Sequence, residues 1–136
     1  MRANKATSRT TIQSFDWRSL PLVREAQPDI SLALLYSAKT WASGSKWTGE
    51  VDYDKVGGDV NKAATQLGAE ILSPEYKLAT PESVASAHEA GLQVLPWTVN
   101  EKPDMQAVID AKVDGLITDY PTRGMEVLKE NKLQVL

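Results

Sequence analysis

Short β-type runs alternate with helical patterns along almost the whole chain, and this alternation limits the possible folds more than any other feature. Five runs have the composition of strands: residues 10–15, 31–36, 69–73, 92–100 and 115–118. The second run, Ser-Leu-Ala-Leu-Leu-Tyr, is almost entirely apolar, as expected of a strand that is covered on both faces. The runs begin about 20 to 40 residues apart, which is the scale of βαβ units with parallel strands. The sequence therefore predicts an α/β fold with a parallel sheet.

The segments between these runs carry signals for helix ends. We predict helices over residues 18–26, 58–67, 81–90, 103–111 and 122–132. Thr80 suits the N-cap of the third helix, and Pro81 suits its first position. Gly68 and Gly91 stand where a left-handed residue commonly ends a helix.

One connection is much longer than the others. Residues 38–57 contain several glycines, Trp41 and Trp47, and no helical period. A loop of this length in an α/β unit is usually functional or disordered. It leaves the carboxyl end of the second strand, which is the ligand-binding side of parallel α/β folds. The two tryptophans either face a ligand or fold back over the strand ends.

Composition excludes several classes of function. The 136 residues suit one compact unit, and the net charge of −3 provides no basic surface for nucleic acid. The sequence has no cysteine and no apolar stretch long enough to span a membrane, and we do not expect the polar stretch MRANKATSRTT to act as a signal peptide. Because His88 is the single histidine, any mechanism that needs two histidines is incomplete in this chain.

Two architectures fit the alternation of elements. One is a doubly wound open sheet, and the other is part of a (β/α)8 barrel. No glycine-rich phosphate loop follows the first run, where a nucleotide-binding open sheet would have one. A complete barrel needs about 250 residues, so spacing alone favours the open sheet.

Four motifs in register resemble a known family. They are IQSFD at residues 12–16, AHEAGL at 87–92, PWTVN at 96–100 and VDGLITDYP at 113–121. Together they resemble the C-terminal portion of the glycerophosphodiester phosphodiesterase family, and the middle segment, residues 47–76, resembles one bacterial branch of it. The resemblance covers residues 1–136 and implies about five βα units of a (β/α)8 barrel, with the first strands missing. It therefore overturns the preference for an open sheet.

The resemblance also implies a reaction. Family members hydrolyse glycerophosphodiesters to glycerol 3-phosphate and an alcohol, using a divalent metal (calcium or magnesium), two histidines and basic groups at the phosphate. The motifs that supply these groups precede the serine-phenylalanine strand in the family, and no residue of this chain matches them. We therefore expect no catalytic residue and no metal ligand in this chain, and no turnover by this chain alone. His88 is expected to have a structural or surface role.

Three residues are candidates for substrate binding. The resemblance places Trp97 at the pocket, where its indole would provide an apolar wall and one N–H donor; the alternative is a place in the barrel core. Phe15 could form the opposite wall or pack in the core. Asn100 could bind at the barrel mouth, although asparagine at a strand end more often stabilises a turn. Asp16 and Asp119 also end strands and could form a second carboxylate site, but we expect them to cap helices and make loop hydrogen bonds.

Three functions remain open at this stage. The first is part of a phosphodiesterase, whose partners would be a glycerophosphodiester and the missing N-terminal half of the barrel. The alternative is a non-catalytic half-barrel module for binding or assembly, which needs a partner chain because its strand edges and inner face are exposed. The third is an open-sheet domain with an unrelated ligand. The compartment is undetermined; the branch that the chain resembles favours the periplasm over the cytoplasm.

Overall fold

The computed structural model describes residues 11–49 and 51–131, which form a parallel sheet with helices. The strands are β1 (Thr11–Ser14), β2 (Ser31–Tyr36), β3 (Ile71–Pro74) and β4 (Gln93–Val94). The helices are α1 (Ser19–Ala26), α2 (Val60–Leu67), α3 (Pro81–Glu89), α4 (Lys102–Asp110) and α5 (Pro121–Glu130), and a short 3₁₀ turn covers Tyr76–Leu78. Within these described residues, no helix is both long and apolar enough to cross a membrane.

The four strands are parallel and follow one another in chain order across the sheet, β1-β2-β3-β4. In one row of the register, Ala33 of β2 pairs with Gln13 of β1 and with Ile71 of β3, and Ile71 pairs with Gln93 of β4. A doubly wound sheet reverses its strand order at a switch point. The described strands show no such reversal, so their order is that of a barrel segment.

The predicted helix ends at Gly68, Thr80 and Gly91 are confirmed by the backbone, whereas the predicted end at residue 132 lies outside the described residues. Asp59 caps α2, and Gly68 ends it with a φ of 71°. Thr80 forms a capping box with Ser83 at the start of α3, which satisfies backbone donors that the first turn leaves free. Gly91 follows α3 with a φ of 80°, a left-handed conformation that side chains other than glycine rarely adopt.

The two faces of the sheet differ in their surroundings. Side chains alternate along a strand, so Leu32, Leu34 and Tyr36 of β2 point to one face, where they belong to the main hydrophobic core. The alternate residues point to the other face, which is only partly covered and which we call the open face. Its members are Gln13, Phe15, Ala33, Leu35, Ile71, Ser73, Gln93 and Leu95. Of these, Ala33, Ile71 and Ser73 are buried in the centre, whereas Gln13 and Gln93 are exposed at the edges.

The predicted fifth strand, at residues 115–118, does not form. The segment does lie beside residues 96–99, because Ile117 N donates to Pro96 O at 2.9 Å and Val99 N donates to Ile117 O at 2.8 Å. Proline has no N–H, so Pro96 cannot donate the neighbouring hydrogen bond that a regular parallel ladder would need here. Gly115 allows the close approach, since a Cβ there would lie 2.8 Å from Leu95 Cδ2.

The long loop folds back, as one of the two alternatives predicted. Trp41 packs against the core between Trp17 and Tyr53, with ring centroids 5.3 and 4.8 Å away, and its Nε1 donates to Gly58 O at 3.2 Å. Trp47 remains 48% exposed, although its carbonyl accepts a hydrogen bond from Trp17 N at 2.9 Å. The loop is thus anchored on the residues that follow β1.

Candidate functional site

An aromatic corner lies beyond the carboxyl ends of the strands. Phe15 directly follows β1, and Trp97 forms a parallel bridge with Glu75 just past the end of β3. Their ring centroids are 5.1 Å apart with an angle of 84° between the ring planes, an edge-to-face contact. Both side chains are half-buried. The two rings are therefore in direct contact and meet at nearly a right angle, and a place for Phe15 in the wall of a substrate pocket stays a prediction.

The polar group of Trp97 already has a partner within the protein. Its Nε1 donates to Ser73 O at 2.8 Å. Its backbone is bonded on both sides, since Trp97 N donates to Pro74 O at 2.9 Å and Trp97 O accepts from Tyr76 N at 2.7 Å. The indole N–H is therefore used within the fold, which corrects the expected donor role, whereas a contact between the ring and substrate stays a prediction.

Asn100 ties the segment after Trp97 to the turn at residues 118–119. Its Nδ2 donates to Asp119 Oδ2 at 3.1 Å, and its Oδ1 accepts from Asp119 N at 3.0 Å and from Thr118 Oγ1 at 3.3 Å. Its carbonyl accepts from the Arg123 guanidinium at 3.0 Å. This is the turn-stabilising role that the sequence offered as the alternative; a contact between Asn100 and substrate stays a prediction.

Two charged groups beside the corner, Arg18 and Asp16, are paired with each other. Arg18 donates from Nε and Nη2 to the two carboxylate oxygens of Asp16, at 2.8 and 2.6 Å. These hydrogen bonds hold the pKa of Asp16 below its ordinary value. At the other rim, Arg123 lies 4.2 Å from the ring centroid of Tyr120, an exposed aromatic side chain. Asp16 Oδ1 also accepts from Arg18 N at 3.1 Å, and Asp119 Oδ2 accepts from Asn100 Nδ2, so both carboxylates make the loop hydrogen bonds that the sequence predicted.

His88 lies away from the aromatic corner. It is on α3, and its Nε2 is 2.8 Å from Asp114 Oδ2, an oxygen that also accepts from Val94 N at 2.7 Å. The pair therefore joins α3 to β4 itself, whereas Trp97 lies beyond the carboxyl end of that strand. This geometry confirms the predicted structural role of His88.

The described residues do not provide a metal centre. Across residues 11–49 and 51–131, no group of three or more histidine or carboxylate side chains could hold a metal ion. The metal that the family resemblance implies does not fit the residues in this part of the chain, and we derive no step through it.

Ser73 is the residue of the site that the sequence did not reveal. It is fully buried; its hydroxyl donates to Leu95 O on the segment that leads to Trp97, and its carbonyl accepts from the Trp97 indole N–H. The available signal was its position before Pro74, since a proline inside a paired strand leaves one carbonyl on the neighbouring strand without a donor.

Comparison with known proteins settles the family. The sequence model of the glycerophosphoryl diester phosphodiesterase family matches residues 1–123. This chain belongs to that family. A glycerophosphodiester phosphodiesterase of Caldanaerobacter subterraneus is 33% identical over 113 residues, which are 83% of this chain and 40% of that protein. One from Bacillus subtilis is 33% identical over 110 residues, 81% of this chain and 33% of that protein.

Solved structures agree on the architecture. A structure from Silicibacter pomeroyi, described as a glycerophosphoryl diester phosphodiesterase, is 34% identical with a TM-score of 0.84, covering 98% of this chain and 42% of that one. One from Agrobacterium tumefaciens shares the fold at 19% identity, with a TM-score of 0.77 and 49% of that chain covered. This chain thus forms part of a (β/α)8 barrel and spans less than half the length of these relatives.

Proposed function

We propose that this chain provides a substrate-binding wall of a phosphodiesterase that hydrolyses glycerophosphodiesters to glycerol 3-phosphate and an alcohol. The observation that carries the proposal is the corner formed by Phe15 and Trp97 beyond the carboxyl ends of the strands. Active sites of (β/α)8 barrels are built at this end. An Oleispira antarctica phosphodiesterase of the same fold was solved in complex with the product sn-glycerol-3-phosphate, which supports a small phosphorylated ligand.

The corner suits the carbon skeleton of such a ligand better than its phosphate. Two half-buried rings at a right angle provide an apolar wall that can pack against the glycerol chain. The face of Trp97 can also attract a quaternary ammonium head group such as choline through a cation–π contact. The nearby guanidinium of Arg18 is already paired with Asp16, so Arg18 is not a free cation for the phosphate.

The catalytic groups belong, in this proposal, to an N-terminal half of the barrel. That half supplies the two histidines, the basic groups at the phosphate and the carboxylates that hold calcium or magnesium. The metal would neutralise charge on the phosphoryl oxygens when bound. The residues of this chain exclude water from one side of the ligand and orient it. The chain alone then binds weakly and does not turn over substrate.

A chimera tests the proposal. The amino-terminal part of the Silicibacter pomeroyi protein is joined to residues 1–136, and hydrolysis of glycerophosphocholine is measured with added calcium or magnesium. We expect the chimera to be active and each part alone to be inactive. Trp97→Ala should lower kcat/KM about tenfold, the loss of one good ring contact. Trp47→Ala removes an exposed loop tryptophan and serves as the matched control.

Each other outcome has a definite meaning. Hydrolysis by the 136-residue chain alone would overturn the claim that the catalytic groups lie elsewhere. An inactive chimera that assembles correctly, as shown by a cooperative unfolding transition, would favour the alternative of a non-catalytic half-barrel module for binding or assembly. Equal activity of the Trp97→Ala and Trp47→Ala chimeras would remove Trp97 from the substrate site.

A further inference from the structure

The ladder of backbone hydrogen bonds between β3 and β4 lacks one bond beside the aromatic corner. Backbone nitrogens on the β4 side donate in alternation: Leu95 N to Leu72 O at 2.9 Å, then Trp97 N to Pro74 O at 2.9 Å. In a parallel ladder, the nitrogens of the partner strand return bonds to the intervening carbonyls. Tyr76 N does so, donating to Trp97 O at 2.7 Å. The equivalent donor to Leu95 O would be the nitrogen of residue 74, which is a proline and has no N–H.

The hydroxyl of Ser73 fills this gap. Its Oγ donates to Leu95 O at 2.6 Å, so the carbonyl that Pro74 leaves unpaired still has a donor. The side chain is 0% exposed, which keeps water from replacing the bond. The carbonyl of the same residue accepts the indole N–H of Trp97 at 2.8 Å. One residue therefore holds both the backbone that leads to Trp97 and its ring.

We infer that Ser73 is a positioning residue for Trp97, an assignment whose role in substrate binding rests on the proposed function. Without the hydroxyl, Leu95 O would be left without a donor in a part-buried position, which is a costly state for a carbonyl. The segment between Leu95 and Trp97 could then shift to find a new partner. Such a shift moves the indole relative to the carbonyl of Ser73 and opens its contact with Phe15.

Pro74 provides a direct test, because its replacement restores the missing donor. Ser73→Ala should raise the equilibrium constant for unfolding about tenfold, as measured by urea titration of the full 136-residue chain. Pro74→Ala supplies a backbone N–H to Leu95 O and makes the hydroxyl redundant. Adding Ser73→Ala to the Pro74→Ala chain should then change the unfolding constant by less than about threefold. An equal effect of Ser73→Ala in both backgrounds, or a double variant that does not fold, overturns the inference.

NMR measures whether the indole of Trp97 moves. In ¹H–¹⁵N spectra, Ser73→Ala should shift the Trp97 Nε1–H signal, and the double variant should return it toward its original position. Trp41 is the internal control, since its Nε1 donates to Gly58 O in a different part of the fold. A Trp97 signal that moves no more than the Trp41 signal contradicts a positioning role, even if the stability falls.

The chimera separates this inference from the proposed function. With glycerophosphocholine, Ser73→Ala should raise KM, and Pro74→Ala in the same chain should reverse the increase. An active chimera whose KM is unaffected by Ser73→Ala refutes the positioning role. If the chimera with Ser73 intact is inactive, the proposed function fails, while the urea and NMR results still decide whether Ser73 holds Trp97.

Discussion

The contact of Gly49 with the residues after β1 predicts a large effect of a single methyl group. Gly49 has a φ of 62°, and a Cβ added to it would lie 3.1 Å from Arg18 N and 3.2 Å from the backbone carbon of Trp17. These atoms are backbone and cannot turn aside as a flexible side chain would. The substitution Gly49→Ala should therefore push the long loop away from the segment that begins at Phe15.

Two costs add up in this variant. A left-handed conformation costs a residue with a Cβ about 1–2 kcal/mol. Overpacking against fixed atoms costs about 1–3 kcal/mol more. Gly44→Ala is the matched control, because Gly44 has a φ of 75° but nothing within 4 Å of an added Cβ. We expect Gly44→Ala to lower the free energy of unfolding by about 1–2 kcal/mol and Gly49→Ala by about 2–5 kcal/mol.

Urea titration followed by tryptophan fluorescence measures both variants, and the fully buried Trp17 is well placed to report on the contact. The loss of unfolding free energy in Gly44→Ala is subtracted from the loss in Gly49→Ala. Both variants pay the same conformational cost, so the difference reports the overpacking alone. Equal losses would refute the reasoning, because they would show that the loop can move off the backbone of Trp17 and Arg18 at no cost.

Two further predictions concern carboxylates that accept hydrogen bonds. Because the Arg18 hydrogen bonds lower the pKa of Asp16, their stabilising contribution is present above the ordinary carboxyl pKa of about 4 and is lost as the pH falls through the lower folded-state value. In an NMR titration, Arg18→Gln should return the pKa of Asp16 toward its ordinary value; an unchanged pKa contradicts the assignment. Asp114→Ala should lower the free energy of unfolding by about 1–3 kcal/mol, because it removes the acceptor of both Val94 N and His88. His88→Ala should cost less in the same urea assay, and an equal loss would show that the backbone bond contributes nothing.

Local signals in the sequence were sufficient for the strands and helix ends that depend on neighbouring residues. Strand β2 was predicted with its observed bounds, because a nearly continuous apolar run is typical of a parallel strand that is covered on both faces. The caps at Thr80 and Gly68 were also readable, since capping depends on residue type at a fixed position. The predicted strand at residues 115–118 failed because its ladder depends on a residue elsewhere, Pro96, which cannot donate.

Only part of the site was predicted, because its geometry also depends on contacts between residues that are far apart in the sequence. Trp97 and Phe15 were chosen as candidates, but their edge-to-face contact depends on how β1 and the segment after β4 approach each other across the sheet. Periodicity carries no information about that approach. The role of Ser73 was also hidden, since a buried serine in a strand has no distinctive pattern until the pairing of Pro74 with its neighbours is known.

The engagement of the Trp97 N–H by Ser73 limits what the proposed wall can discriminate. A pocket that must hydrogen-bond its ligand rejects analogues that lack the matching group by about 10⁴-fold or more, because its own polar group is left unpaired. An apolar wall has no group to leave unpaired, and a methylene more or less changes binding only about 10- to 200-fold. Phe15 adds a second ring and no donor or acceptor. If this corner faces the alcohol of a glycerophosphodiester, it selects by shape and by cation–π attraction, and strict selection among alcohols has to come from residues outside the corner.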